Sequence, residues 1–261
     1  VSASVTGVPF GAAAAPTNLR ASASSGQAVL QWETPISNGG NAITGYRIES
    51  SVDGGTTWSD EVANTNSTAT SYTITGLDNG VTILIRVSAI TSAGSGQVSN
   101  VAPAIPSAPA SAPINVSAIV GNAQAVLTWT APADTGGLPV SGYMIERSVD
   151  GTTWTTVTAN TGNPVPASVQ SGLINGVTYQ FRISAITAGG TGVASTPFSV
   201  KPYTSPSAPT AFVAQPSDGQ ITMTWGVPTS DGGAAVTDYR VEQSLDGGIT
   251  WTAAAASTGG T

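Results

Sequence analysis

One segment occurs three times in this chain and constrains its fold more than any other feature. It covers residues 46–58 and returns at 143–154 and 239–251. In each copy, residues of alternating polarity lead into an Asp-Gly pair, and the chain then continues to a tryptophan. Asp-Gly between two such runs is a strong β-hairpin signal, because glycine readily adopts the positive φ that the turn requires. The sequence therefore predicts a chain built from repeated antiparallel hairpins.

The repeat extends well beyond the hairpin. Trp32, Trp129 and Trp225 are 97 and 96 residues apart. A period of this length is too long for a solenoid unit and fits a small independent domain. Each complete copy contains short alternating runs, the last of which are predicted as single strands at 97–102 and 192–200. About seven such strands in roughly 90 residues predict an all-β chain of tandem β-sandwiches.

Proline-rich stretches separate the copies. Prolines at this density favour an extended, polyproline-like conformation over a random coil, so these stretches are interpreted as stiff linkers. Residues 1–11 resemble the last strand of a copy, and residue 261 falls midway through another copy. The predicted division is 1–15, a last-strand remnant with a linker; 16–103, a repeat; 104–112, a linker; 113–202, a repeat; 203–208, a linker; and 209–261, the N-terminal half of a further repeat.

One stretch of the second copy is similar to a known family. Residues 173–185, Leu-Ile-Asn-Gly-Val-Thr-Tyr-Gln-Phe-Arg-Ile-Ser-Ala, resemble the Leu-x-x-Gly-x-x-Tyr-x-Phe-Arg-Val-x-Ala signature of fibronectin type III domains. The resemblance implies immunoglobulin-like sandwiches arranged as beads on a string. It also implies that the Tyr179 hydroxyl pins a loop backbone; Ile83 holds this position in the first copy, where an aliphatic contact is expected instead. The aromatic residues expected in the cores are Trp32, Tyr46, Trp129, Tyr143, Tyr179, Trp225 and Tyr239.

Composition excludes several classes of function. The chain has no histidine and no cysteine, so it lacks the commonest general base, the commonest transition-metal ligand, thiolates and disulfides. Its carboxylates are spread along the chain, and we predict no catalytic, cofactor or metal site and no enzyme. A net charge of −7 disfavours nucleic acid and anionic lipid, and no apolar run reaches a membrane-spanning length.

The hairpin tryptophans Trp58, Trp154 and Trp251 are the candidate ligand-binding residues. Exposed tryptophans serve as stacking platforms for sugar rings, whereas the preferred interpretation is that each covers the rim of its own sandwich. The Ser-x-Asp-x-Gly-x-x-Trp pattern that ends at Trp58 and at Trp251 resembles the Asp-box of sialidase-type propellers and is interpreted as a structural turn; the second copy is one residue shorter and breaks the pattern. The glycine-rich loops at 38–40, 135–137 and 231–233 are interpreted as plain connections rather than recognition loops.

Two charge pairs fall on neighbouring strands of the predicted sandwiches. Glu49 with Arg86, and Glu146 with Arg182, are expected to be exposed cross-strand ion pairs. Pairs of this kind contribute at most about 1 kcal/mol each. We therefore expect them to stabilise the sheet or to set strand register, and to have no catalytic role.

The leading functional hypothesis is a non-catalytic extracellular or cell-surface array of modules. It would act as a spacer, an adhesin stalk or a filament component, with other protein modules or copies of itself as partners. The composition resembles bacterial surface and secreted versions of the family. In a sharper variant, residues 1–11 of one subunit complete the half-repeat of the next by strand addition. The alternatives are a carbohydrate-binding or accessory module of a secreted polysaccharide-active enzyme, with surface polysaccharide as partner, and a virion tail or decoration protein.

Overall fold

A computed structural model describes residues 11–260 of the chain. All twenty regular elements in this range are β-strands, which confirms the all-β prediction. None of the described residues forms a helix long and apolar enough to cross a membrane.

The first sandwich consists of two antiparallel sheets. A three-stranded sheet has the order β1-β2-β5, and a five-stranded sheet has the order β4-β3-β6-β7, with β8 also paired to β6. Alternation places Ala28, Leu30 and Trp32 of β2 in the core, because successive side chains of a strand point to opposite faces. The strands are β1 (Thr17–Ser24), β2 (Gln27–Glu33), β3 (Gly45–Ser51), β4 (Ser59–Val62), β5 (Ser71–Thr75), β6 (Ile83–Thr91), β7 (Gly94–Val98) and β8 (Ala102–Ala104).

The second sandwich repeats this topology. Its sheets have the orders β13-β10-β9 and β12-β11-β14-β15, with β16 paired to β14. The strands are β9 (Ile114–Gly121), β10 (Gln124–Thr130), β11 (Val140–Ser148), β12 (Thr155–Thr158), β13 (Ala167–Ser171), β14 (Tyr179–Thr187), β15 (Gly190–Ala194) and β16 (Phe198–Val200).

The remaining strands form two small sheets. One pairs β17 with β18 and the other pairs β19 with β20. Apolar side chains of this segment lie largely in solvent, with Phe212 60% and Ile221 60% exposed. The strands are β17 (Thr210–Ser217), β18 (Gln220–Gly226), β19 (Val241–Gln243) and β20 (Thr252–Ala255).

The prediction of a single last strand in each copy is wrong. The structure divides that strand into β7 and β8 in the first sandwich and into β15 and β16 in the second. The interruption lies at Ser99, whose N–H donates to the Val87 carbonyl (2.8 Å) while its Oγ accepts from the Val87 N–H (3.0 Å). Ser195 and Ile183 repeat this arrangement. The Ser99 hydroxyl oxygen thus takes the place of a backbone carbonyl as the acceptor for the Val87 N–H, and the regular backbone pairing of this strand with β6 stops there.

An edge-to-face aromatic pair lies at the centre of each core. In the first sandwich the ring centroids of Trp32 and Tyr46 are 5.0 Å apart, both residues are buried, and burial raises the Tyr46 pKa above 10.0. Edge-to-face pairs at this distance stabilise a core beyond the area they bury. The equivalent pairs are Trp129 with Tyr143 at 4.9 Å and the half-buried Trp225 with Tyr239 at 5.3 Å.

The described residues form two compact units, and the boundaries of these units differ from those of the two sandwiches. The first unit comprises the described residues up to Ser111, together with Pro132–Gly142 and Ala185–Val193. The second comprises Ala112–Ala131, Tyr143–Ser184 and the residues from Ala194 onward. The first unit therefore contains the first proline-rich stretch up to Ser111, the second unit contains the second proline-rich stretch, and each unit includes turns from the segments on both sides of its stretch.

Candidate functional site: acidic hairpins and bonded linkers

The repeated segment of the first sandwich forms the predicted hairpin. β3 pairs with β4 in antiparallel register, and residues 52–58 connect them. Asp53 organises this connection, because its carboxylate accepts bonds from the backbone N–H groups of Thr56 (2.9 Å) and Thr57 (2.9 Å). The hydroxyls of Thr57 (2.5 Å) and Ser51 (2.7 Å) also donate to it. Gly54 has a φ of 77°, as the turn requires.

Asp150 and Asp246 occupy the position of Asp53 in the other two hairpins. In all three, hydrogen bonds to the carboxylate lower its pKa well below the ordinary value of 3.8. The largest cause is the Thr57 hydroxyl for Asp53 and the Thr250 hydroxyl for Asp246. For Asp150, in the shorter second hairpin, the largest cause is the Thr153 backbone N–H. A carboxylate whose acceptor positions are filled by its own loop is a structural element. The geometry therefore supports the interpretation of the Asp-box as a turn.

These pKa shifts predict an acid-sensitive contribution to stability. Because the folded-state pKa of Asp150 is depressed, its stabilising contribution is fully present well above pH 3.8 and is lost progressively as pH falls from that value towards the depressed folded-state pKa. We expect Asp150→Asn to be less stable than the native chain at about pH 7, and the difference to become smaller as pH falls towards about 2. Urea unfolding at both pH values measures this. A stability difference that stays constant across the range would contradict the prediction.

The structure corrects the predicted exposure of the ion pairs. Arg86 donates to both carboxylate oxygens of Glu49, from Nε at 3.0 Å and from Nη2 at 3.1 Å, so the pairing itself is as expected. Glu49 is only 4% exposed, however, and the Arg86 guanidinium lies 4.2 Å from the ring centroid of Trp58. The hairpin places the indole over the guanidinium, so the pair is largely covered, although the Arg86 side chain remains 26% exposed.

The same arrangement recurs in the second sandwich. Arg182 donates to both oxygens of Glu146 (2.7 and 3.1 Å) and lies 4.4 Å from the Trp154 ring centroid. The half-buried rings of Trp58 and Trp154 therefore each have a guanidinium on one face. Trp251 is 58% exposed, and its Nε1 donates to the Gly248 carbonyl (3.2 Å). Guanidinium stacking favours a structural role for the first two tryptophans over sugar binding.

Tyr179 occupies the position that the family resemblance singled out. It is 5% exposed, and its hydroxyl accepts a hydrogen bond from the Ile174 N–H (3.0 Å). The bond holds the turn that leads into β14. In the first sandwich Ile83 is buried at the equivalent position.

Tyr179→Phe is expected to lower the free energy of unfolding of the second sandwich by about 1–3 kcal/mol, because the Ile174 N–H loses its acceptor. Urea unfolding measures the loss. Tyr203→Phe serves as the control, since Tyr203 is 50% exposed and its change should be small. Equal effects for the two variants would contradict a pinning role for the Tyr179 hydroxyl.

The proline-rich stretch between β8 and β9 is hydrogen-bonded to turns of both flanking segments. The Gly80 N–H donates to the Pro106 carbonyl (2.8 Å), and the Ala108 N–H donates to the Gly136 carbonyl (2.9 Å). Gly80 belongs to the turn before β6, and Gly136 belongs to the glycine-rich loop before β11. The glycine-rich loop at 135–137, interpreted from the sequence as a plain connection, thus supplies a carbonyl that accepts a hydrogen bond from the linker backbone.

Small side chains fit the rest of this stretch closely against the second sandwich. Ala110 is fully buried, and its carbonyl accepts a bond from the Val193 N–H (3.0 Å). A Cβ added to Gly192 would lie 2.5 Å from that carbonyl oxygen, so the close approach requires glycine. The Ser111 N–H donates to the Asp134 carbonyl (2.8 Å). The stretch is therefore fixed along most of its length.

The same pattern occurs at equivalent positions elsewhere in the chain. Sequence reasoning missed it, although the 96-residue spacing of Pro106 and Pro202 matched the repeat and was a usable signal. The equivalent backbone bonds run from Gly11 to Gly39 (2.9 Å), Ala14 to Ser37 (2.9 Å), Gln97 to Ala13 (3.0 Å), Gly176 to Pro202 (2.9 Å), Thr204 to Gly232 (2.8 Å) and Ser207 to Ser230 (2.9 Å), each from N–H to carbonyl.

Acidic side chains do not gather into a metal site in the part of the chain that the structure describes. Within residues 11–260, no three Asp or Glu side chains lie close enough together to hold a metal ion.

Comparison with known proteins identifies the class to which these sandwiches belong. The fibronectin type III domain family matches residues 14–105 and 108–201. The chain therefore belongs to the fibronectin type III family, and its fold is that of tandem fibronectin type III sandwiches.

Individual relatives are similar over much of this chain. Human Myomesin-2 is 26% identical over 227 residues, which cover 82% of this chain and 15% of that protein. Rat Neogenin is 30% identical over 224 residues, which cover 81% of this chain and 16% of that protein. The crystal structure of the FN1–FN3 domains of chicken CNTN1 aligns over 89% of this chain and 80% of that one, with 20% identity and a TM-score of 0.37. The chain thus spans about a sixth of the length of these two curated relatives.

Proposed function

We propose that this chain is a non-catalytic spacer that holds other protein modules, or copies of itself, at a limited range of separations. The observation that carries the proposal is the bonding of the linker from both sides, by Gly80 to Pro106 and by Ala108 to Gly136. A spacer works only if its connections do not collapse or extend freely. Hydrogen bonds to folded turns on both sides supply that restraint.

The composition of the linker adds to this restraint. Pro106 is fully buried, as is Ala110, so ordering this stretch also removes apolar surface from water. Proline has few conformations to lose on folding, and alanine loses almost no side-chain entropy. In this proposal, residues 16–103 and 113–202 are the repeats, 104–112 and 203–208 are the linkers, and 209–261 begins a further repeat.

The finer parts of the proposal concern location and assembly. We place the chain at the cell surface or outside the cell, as an adhesin stalk or a filament component. The resemblance to bacterial surface proteins stays a prediction, because the relatives reported above are animal proteins. The predicted strand addition by residues 1–11 falls mainly on residues 1–10, which lie outside the described range.

Single-molecule energy transfer tests the spacer function directly. The chain has no cysteine, so Ser22→Cys and Thr128→Cys, both at exposed strand positions, provide two labelling sites. We expect a narrow distance distribution that broadens when residues 105–112 are replaced by a Gly/Ser segment of equal length. Ile105→Ser, at a 44% exposed position, is the matched control and should leave the distribution unchanged. An equally broad distribution in the native chain would contradict the proposal.

A further inference from the structure

The linker bonds depend on a close contact between two turns that recurs in both compact units. We define the Asn-Gly turns as residues 79–80 and 175–176, and the Gly-Gly turns as residues 136–137 and 232–233. In the first unit, a Cβ added to Gly80 would lie 2.1 Å from the Gly137 carbonyl oxygen, and a Cβ added to Gly137 would lie 2.4 Å from the Gly80 nitrogen. The two backbones therefore touch with no room for a side chain on either.

The second unit repeats this contact between different residues. A Cβ added to Gly233 would lie 2.4 Å from the Gly176 nitrogen, and a Cβ added to Gly176 would lie 3.1 Å from the Gly233 Cα. All four glycines have a positive φ: 91° at Gly137, 95° at Gly233, 83° at Gly80 and 82° at Gly176. Because the close contact and the positive φ values both recur one repeat apart, the arrangement is a regular feature of the fold.

We propose that each Asn-Gly turn and Gly-Gly turn form a latch whose closure holds the linker between them. The inference rests on the proposed spacer function and adds the element that regulates it. In the first unit, the Asn-Gly turn donates to Pro106 and the Gly-Gly turn accepts from Ala108, only two residues further along the chain. Both bonds can form together only while the two turns are in contact. Separation of the turns therefore breaks at least one of these bonds and loosens the linker at residues 106–108, while its bonds at Ala110 and Ser111 can remain.

Only weak interactions hold the latch closed. Each closed latch has two backbone hydrogen bonds to its linker and a contact between glycines, and none of its four turn residues at 79–80 and 136–137 has an apolar side chain to bury. A net hydrogen bond contributes on the order of 1 kcal/mol. The sandwiches bury whole cores, so the latch opens before either sandwich unfolds. The chain thereby has a held and a released state of residues 106–108 of the linker with both sandwiches intact.

Hydrogen exchange of individual amides in the full chain tests the latch. We expect Gly137→Ala to increase the exchange rates of the Gly80 and Ala108 amides on the order of tenfold or more, because the added Cβ separates the turns. The Val87 amide, bonded inside the first sandwich, should be unaffected. The matched control is Gly55→Ala: Gly55 has a φ of 90° against 91° for Gly137, and its Cβ would meet no atom closer than 3.6 Å.

The outcomes separate this inference from the proposed function. Fast exchange of the Gly80 and Ala108 amides in the native chain would contradict the bonded linker, and with it the spacer proposal. Slow exchange that responds to Gly55→Ala as much as to Gly137→Ala, or to neither, would overturn the latch alone. Gly80→Ala provides a second variant, read at the Ala108 amide, with Gly76→Ala as its control because a Cβ at Gly76 has open space around it.

Discussion

Replacing Trp129 by alanine is expected to lower the free energy of unfolding of the second sandwich by about 3–5 kcal/mol. Trp129 is 6% exposed, and its ring meets Tyr143 edge to face at a centroid distance of 4.9 Å. The substitution removes the buried indole, leaves a cavity that the facing sheets cannot close, and ends the aromatic contact. Since single domains have stabilities of about 5–15 kcal/mol, a loss of this size threatens the fold of the repeat.

Urea unfolding followed at residues of the second sandwich measures this effect. Trp251→Ala is the control, because Trp251 is 58% exposed and its removal leaves no buried cavity. We expect a change of less than about 1 kcal/mol for the control. The first sandwich, which has its own aromatic pair, should keep its stability in both variants. Similar losses for Trp129→Ala and Trp251→Ala would contradict the assignment of the core.

Replacing Arg182 by methionine is expected to destabilise the second sandwich by about 2–4 kcal/mol. The Glu146 side chain is 14% exposed, and Arg182 supplies both of its charge-assisted hydrogen bonds. Methionine retains apolar contact with Trp154 but leaves a largely buried carboxylate without a cation. The effect exceeds the contribution expected for a surface pair because Glu146 has little access to water.

A second substitution separates the charge effect from packing. Adding Glu146→Gln to Arg182→Met removes the unpaired charge, so much of the lost stability should return. Lys201→Met tests the loss of a single exposed charge in the same sandwich and should change little. If the double variant is as unstable as the sum of its single variants, the ion pair is not the source of the effect.

The fold could be predicted from the sequence because the sequence patterns that determine it are local and occur in every copy. The Asp-Gly pairs and the alternation within β2 and β6 depend only on backbone geometry and on which face of a strand meets the core. The 96-residue period then assigned the same topology to each copy. Seven of the aromatic residues were expected in cores, and the structure places six of them in facing pairs and Tyr179 at the start of β14, bonded to the preceding turn.

The errors arose where one side chain changes the environment of another. Glu49 lies on an outward position, yet Trp58 covers its partner Arg86, and strand periodicity carries no information about such a lid. Ser99 reads as an ordinary strand residue, and only its three-dimensional neighbour Val87 shows that its hydroxyl replaces a ladder bond. The linker bonds are made by backbone groups. Every residue has a carbonyl and every residue except proline has an N–H, so composition alone could not reveal these bonds.

The most direct test of the bonded linker is the backbone order parameter of its amides, measured by nitrogen-15 relaxation. The amides of Ala108 and Ser111 donate to Gly136 and Asp134, so they should be as ordered as the strands around them. We predict order parameters of about 0.85 for both, the value typical of rigid backbone. Values below about 0.6 would show a freely moving linker and would contradict the central proposal that hydrogen bonds to folded turns restrain the linker.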